Sequence, residues 1–578
     1  MLWNFALRSR LFVNNLISIS LWDHHSSCCL RYYKTMERAV VRCVPSEGKL
    51  TISFLLYGSQ KHMLRDQSEE LGKVLARISN GIIRTQGKGK KSKKKQLNEP
   101  CEAVEPIVRL HYNGDYVAND VSNFNAWQDG AVLHIGEIKY KIERNPPTFT
   151  TAELPVAILA GFPVCPKLEI EFGDLNDSVF TWFKARDPNQ DSWIEAGTGR
   201  VFTPSNGDIG LKVKFNCIPG NQTKYGAAKE LVSSSTVEAG PGVCTFDTRH
   251  LYTKKVTDNS KLRVVSYNIL ADIYAQTDLS KTVLYPYCPP YALGIDYRQS
   301  LIKKELMGYN ADIICLQEVD KAVFNDSLSP ALDASGMEGV FKIKEKQHEG
   351  LATYFRKSKL QLLSQHDIML SEALRNDPLH SDLLDNLSKN PILKDRVMQR
   401  STTLQVTVLQ PLSNCSKPVC VANTHLYWHP KGGNVRLIQI DVALRHLKQV
   451  ISVEHPGASL LFFGDFNSIP SSGLFQLLSQ GTVPKTHPDW TSGGPDEQCP
   501  MELHNPFQLQ SACGEPSYTN YVGGFHGCLD YIFLDPQMLC VEQVIPMPSH
   551  DEVTTYQALP SVSHPSDHIA LVCDLKWK

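Results

Sequence analysis

Ser459-Leu460-Leu461-Phe462-Phe463-Gly464-Asp465-Phe466-Asn467 decides how the whole chain is read. Four large apolar residues in succession form a strand buried on both faces. The chain then turns at Gly464 and offers a carboxylate and a carboxamide two positions apart. In extended chain that spacing sends Asp465 and Asn467 to one side and Phe466 to the other. Ser468, Pro470 and Ser471 supply a turn, and Gly473 to Leu478 reads as the start of a helix. Two oxygen donors on a rigid strand end suit a hard divalent cation and the water beside it. The competing reading of the stretch alone is a strand closed by an Asx-type turn.

The pattern recurs on either side of this stretch. Arg263 to Tyr267 runs into Asn268, and Ile313 to Gln317 runs into Glu318. Val419 to Thr424 runs into His425. Leu529-Asp530-Tyr531-Ile532-Phe533 carries an acid inside a strand-like run, and Asp567-His568 precedes Ile569 to Val572. Helical spacing of Val435, Leu437, Ile440, Leu444, Leu447 and Ile451, and of residues 297–306, separates these strands. Alternating strands and helices predict an α/β sandwich. Singly, each polar residue also has a structural explanation: a helix cap for Glu318, a core histidine at 425, a buried pair at Asp530 and His568. Six of them at strand ends describe a preorganised site on a sheet.

Ser266-Tyr267-Asn268-Ile269-Leu270, Leu316-Gln317-Glu318-Val319, Asn423-Thr424-His425-Leu426, Gly464-Asp465-Phe466-Asn467, Leu529-Asp530-Tyr531-Ile532 and Ser566-Asp567-His568 resemble, in order, the motifs of the exonuclease/endonuclease/phosphatase superfamily. Trp428-His429-Pro430 and the stretch from Tyr518 to Gly527 resemble its deadenylase branch. The resemblance covers about the last 320 residues and implies a four-layer α-β-β-α sandwich over 260–578. It implies Mg²⁺ as cofactor, as two ions that Mn²⁺ can replace. Glu318 is then the principal metal ligand with Asn268 beside it, and Asp465 and Asn467 hold the second position. Asp465 orients or deprotonates the attacking water, His425 donates to a phosphate oxygen, and Asp530 fixes the His568 ring. Whether Asp465 or His568 takes the proton stays open. Phe525 and Pro430 would flank a terminal adenine, with Asn520 as a polar edge contact. The implied reaction releases 5′-AMP from 2′,5′-oligoadenylate and poly(A) RNA. Other enzymes of the same fold, acting on abasic DNA or inositol phosphates, and a non-catalytic RNA-binding protein are the alternatives.

The remainder is less informative. The 578 residues carry a net charge of −1, which excludes a surface that is basic throughout and confines any nucleic-acid footprint to one region. No apolar run reaches membrane-spanning length, so no membrane partner is expected, and nothing names a protein partner. The 16 cysteines form no Cys-x-x-Cys pair and are expected to be reduced. Residues 1–35, with Arg8, Arg10 and Arg31 and a single acid at Asp23, read as a mitochondrial transit peptide, giving the matrix as the expected compartment. Residues 36–240 read as one β-rich, sandwich-like domain, interrupted by a disordered lysine-rich loop near 85–100. Residues 241–259 read as a linker to the second half.

Overall fold

The computed structural model describes residues 36–90, 107–187, 192–345, 347–413 and 418–578. They fall into two compact units that meet in sequence at Pro146 and Pro147. The leader at 1–35 and residues 91–106 of the lysine-rich stretch lie outside the described residues. Residues 85–90, expected in a loop, instead close the helix Leu71–Lys90. Its buried residues Leu71, Val74, Leu75, Ile78 and Ile82 keep helical spacing, and once that face anchors the helix each added residue costs far less than nucleation, so it runs on through Gly87 and Gly89.

The first unit is a seven-stranded sheet in which Glu37–Cys43 pairs antiparallel with Lys49–Leu56 and parallel with Ile138–Arg144. The hairpin of Val132–Ile135 and Ile138–Arg144 turns through Gly136 at φ 57°. Alternate residues Ala39, Val41 and Cys43 enter one core with Leu71, Val74 and Trp127.

The second unit opens with a small two-sheet arrangement. Thr148–Glu153 with Lys167–Glu171, and the four strands between Asp174 and Val232, enclose Phe149, Phe180, Trp182 and Phe215. The stretch 36–240 is thus two β structures with separate cores. Residues 241–259 are not a free linker either. Cys244 and Phe246 are buried against Leu159, Phe162 and Leu301, so these apolar side chains fasten the segment along its path.

Two further sheets follow. One has the order Met337–Ile343, Glu349–Arg356, Ile313–Asp320, Lys261–Asn268, Leu571–Trp577 and Leu539–Val544. The other runs Leu360–Gln365, Thr403–Pro411, Val419–His425, Ser459–Asp465, Asp530–Leu534 and Gln510–Ser511, with Ile368–Met369 added beside Thr403–Pro411. Leu461 and Phe463 pack between the sheets with Val264, Ile313 and Ile532. Leu460 and Phe462 face the other way, into a core shared with the helices Gly433–Gln449 and Gly473–Gln480. Helices Ile295–Gly308 and Ser329–Ala334 cover the outer face of the first sheet. That makes helix, sheet, sheet and helix in four layers, and it explains why Ser459 to Asp465 is apolar on both faces.

Candidate functional site

Pleat geometry delivers four of the six strand-end residues to the gap between the sheets. Val264, Val421, Leu461 and Ile532 point into that gap, and counting by twos from them reaches Asn268, His425, Asp465 and Asp530. His568 arrives just ahead of the strand Leu571–Trp577. Glu318 is the exception. Leu316 faces the outer helices, so alternation alone would send Glu318 there too. A register shift between Leu316 and Val319 breaks the pairing, and Glu318 takes φ 57°, turning its carboxylate into the cleft. Leu270 and Asn467 also adopt positive φ, at 58° and 50°. Three non-glycine residues in this region beside one cleft are strain held by the surrounding packing.

The carboxylates of Glu318 and Asp465 share one amide. Asn268 Nδ2 donates to Glu318 Oε1 at 3.0 Å and to Asp465 Oδ2 at 3.1 Å. Ala271 N–H donates to Glu318 Oε2 at 3.0 Å. Asn268 Oδ1 accepts from Leu270 N–H, so this side chain holds the two acids in place instead of aiming its oxygen at the cleft. Asn467 N–H donates to Asp465 Oδ1 at 2.9 Å, an Asx turn, and its Nδ2 donates to Leu426 O. The turn and the site are therefore one structure, and Asn467 reaches the cleft through a left-handed residue, not through strand alternation.

Two imidazoles face Asp465 Oδ2, His425 Nε2 at 3.5 Å and His568 Nε2 at 3.6 Å. His568 Nδ1 donates to Asp530 Oδ2 at 2.8 Å. Thr519 Oγ1 receives both Leu529 N–H and Asp530 N–H, fixing the head of that strand. Lys344 Nζ lies 3.3 Å from His425 Nδ1 and 2.6 Å from Glu349 Oε1. An ammonium only donates, so His425 Nδ1 accepts and Nε2 carries the proton toward the cleft.

Burial raises the Glu318 carboxyl to about 7, with further repulsion from Asp567 and Glu349. Burial likewise raises Asp465 to about 7, and Asp530 adds to it. Asp530 is the Cα partner of Asp465 on the neighbouring strand, a like-charge pair face to face. Burial pushes His425 well below its usual range, helped by Lys344 and His568. His568 goes the other way: burial opposes its charge, but Asp530 and Asp465 outweigh burial and hold it well above.

Donor atoms of Asp465, Asp530 and His568 lie within 4.8 Å of one another. Asp530 Oδ1 and Glu349 Oε2 are buried without a hydrogen-bond partner. An excess of buried carboxylates with unused oxygens is the donor set a hard divalent cation satisfies. Around it opens a cleft of about 950 Å³ lined by Tyr274, Tyr285, Trp428, Pro430, Asn520 and Phe525. Trp428 is 67% exposed and Phe525 45%. Asn520 Nδ2 is engaged by Asp567 Oδ2 at 3.2 Å, which also accepts from Tyr285 O–H.

Several residues of the site carry no motif in the sequence. Lys344, Glu349, Tyr274 and Tyr285 come from loops, a strand and a short helix with nothing to mark them. Beneath the cleft, Gln317 Nε2 donates to Asn423 Oδ1 at 2.8 Å and Thr353 Oγ1 donates to Gln405 Oε1 at 2.8 Å. These buried polar side chains fasten one sheet to the other. Glutamine and asparagine inside apolar strands were the available signal.

Residues 265–568 match the Endonuclease/Exonuclease/phosphatase family, and residues 146–238 match a 2′,5′-phosphodiesterase 12-like N-terminal domain. The 2′,5′-phosphodiesterase 12 of Mus musculus is 59% identical over 94% of this chain and 95% of its own length. That of Homo sapiens is 59% identical over 94% of each. The CCR4-Not complex 3′-5′-exoribonuclease subunit Ccr4 of Schizosaccharomyces pombe is 31% identical over 55% of this chain and 50% of its own. The family match covers more than half of the chain and the similarity to the mammalian proteins runs nearly end to end: the chain belongs to the endonuclease/exonuclease/phosphatase family, in the CCR4-like branch with 2′,5′-phosphodiesterase 12.

Proposed function

We propose that this protein is a Mg²⁺-dependent phosphodiesterase that removes 5′-AMP from the end of 2′,5′-oligoadenylates and of poly(A). The observation that carries the reading is the meeting of Glu318, Asp465, His425 and His568 around one point, with Asn268 bridging the two acids. Glu318, Asp465 and Asn467 would hold the cation, with Asp530 and His568 close enough to contribute. A divalent ion there would neutralise phosphate oxygens, acidify water and stabilise the departing ribose oxygen.

The side chains divide the remaining work. Asp465 Oδ1 is tied to the Asn467 N–H, and Oδ2, held by Asn268 Nδ2, faces the two imidazoles and is the oxygen placed to orient water and take its proton. His425, with its proton on Nε2, donates to a non-bridging oxygen as charge develops. His568, braced by Asp530, presents Nε2 to the same region. A new P–O bond forms to water oxygen, and the P–O bond to the upstream ribose breaks. That ribose oxygen leaves with the electron pair and takes up a proton from solvent. Phe525 and Pro430 give an aromatic face and a flat ring for the terminal base, with Asn520 beside them.

Matched 2′,5′- and 3′,5′-triadenylates with Mg²⁺ are expected to yield 5′-AMP stepwise from one end, and excess chelator to stop both. Hydrolysis of abasic DNA or of inositol phosphates in preference to either triadenylate would replace this reading with another enzyme of the fold. We also propose the mitochondrial matrix as the compartment, from the arginine-rich, acid-poor composition of residues 1–35. A fluorescent protein carrying those residues is expected to co-localise with a matrix marker. Diffuse cytosolic signal would remove the assignment.

A further inference from the structure

The segment Cys244 to Thr253 runs between the small β arrangement and the first catalytic sheet, and it is packed with polar anchors as well as apolar ones. Arg249 is 2% exposed and commits its guanidinium to three distant partners. Nε donates to Pro546 O at 2.9 Å, Nη2 to Ala570 O at 2.8 Å and Nη1 to Tyr309 O–H at 2.7 Å. Thr253 Oγ1 donates to Gly308 O at 2.8 Å. Ala570 lies two residues beyond His568, so the strap grips the chain that carries this imidazole.

A second connection reaches His568 itself. Thr245 is 4% exposed and His564 is 1% exposed. Thr245 Oγ1 and His564 Nδ1 are 2.5 Å apart, and His564 Nε2 is 2.8 Å from His568 O. A carbonyl oxygen can only accept, so His564 carries its proton on Nε2. Its Nδ1 must then accept, and the Thr245 hydroxyl is the donor. Burial holds His564 down at about 4, which agrees with a neutral ring. The other end of the His568 backbone is also fixed: its N–H donates to Ser566 Oγ, which donates to Asn268 O. Every hydrogen in the chain from Thr245 to His568 therefore has one direction.

We infer that Thr245 and His564 are positioning residues for the reaction: the strap hydroxyl sets the His564 tautomer, and His564 fixes the backbone from which His568 reaches Asp530 and Asp465. This rests on the phosphodiesterase reading of the site. Without the hydroxyl, His564 Nδ1 would be a buried acceptor with no donor. Moving the proton to Nδ1 to relieve that acceptor abandons His568 O. The strap belongs to neither inner sheet, so the part of the chain preceding the family's motifs would contribute directly to the geometry of the site.

Thr245→Val keeps the volume and removes the hydroxyl, whereas Thr245→Ser keeps it. In the full chain, Thr245→Val is expected to lower kcat on 2′,5′-triadenylate about tenfold with KM unchanged, and Thr245→Ser to restore most of the loss. The ¹⁵N signals of His564 are expected to report the Nε2–H tautomer in the native protein and in Thr245→Ser, and a shifted tautomer balance in Thr245→Val. Native kcat in Thr245→Val, a change in KM alone, or a failure of serine to rescue would overturn the inference. So would a His564 tautomer indifferent to the hydroxyl. The imidazole signals need no substrate, so a protein that ignored triadenylate would lose its proposed activity and still show whether Thr245 sets the His564 tautomer.

Discussion

Glu318→Gln is expected to lower turnover by at least about 10³-fold and yet to raise the melting temperature of the metal-free protein. Burial drives the first cost of an ionised Glu318, with Asp567 and Glu349 adding repulsion, and together they lift its carboxyl to about 7 from 4.5. A folded pKa above the unfolded one means that the folded protein binds the extra proton. Stability from this group is therefore greatest below about 4.5 and falls as pH rises toward 7, by about 3 kcal/mol in all. Glutamine removes that charge at similar volume but can match only one of the two hydrogen bonds from Asn268 and Ala271. A net gain of about 1–2 kcal/mol remains at pH 8, and it should vanish near pH 4. Mg²⁺ should raise the melting temperature of the native protein by binding the folded state and do much less for the variant. Thermal melts at the two pH values, with and without Mg²⁺, check all of this. A variant that melts lower than the native protein at pH 8 without metal would mean that the acid is not under strain.

That strain was invisible in the sequence, although much of the site was legible. The apolar runs ending in Asn268, His425 and Asp465 marked the strands and the polar residue at each end, and the fold supplied which face is the cleft, because these runs are apolar on both faces. Pleat alternation fails at Glu318, where the bulge and φ 57° reverse the face. There the motif Leu316-Gln317-Glu318-Val319 identified the residue while its geometry had to come from the fold. Lys344 was out of reach for another reason. Its meeting with His425 depends on where a turn between the strands Met337–Ile343 and Glu349–Arg356 happens to end. The strap at 244–253 reads as a linker because Gly240-Pro241-Gly242 is flexible in composition, and composition cannot report that Phe246 and Arg249 have partners far along the chain. Long-range pairing is the information a local pattern lacks.

Asp530→Asn is expected to reduce kcat on 2′,5′-triadenylate by roughly 10³-fold, with KM changed only a few-fold, by the logic of an acid that fixes an imidazole's tautomer. In the native protein His568 Nδ1–H donates to Asp530 Oδ2, so Nε2 is the nitrogen that faces Asp465. Asparagine can present either an N–H or a carbonyl to Nδ1, and the first choice makes Nδ1 an acceptor, so the ring can no longer carry a proton on both nitrogens. The substitution also removes the charge that most supports protonated His568 against burial, while relieving Asp465 of a facing carboxylate. These two effects separate with pH. A histidine held above its ordinary value stabilises the fold fully below about 6.5 and loses that contribution as pH rises through the raised folded value. The destabilisation caused by Asp530→Asn should therefore be greatest near pH 6 and smaller at pH 9. Urea unfolding at the two pH values reads this difference directly, independently of any substrate. An equal loss at both would mean that Asp530 supports the strand head and Thr519 alone, and that His568 owes its protonation to Asp465.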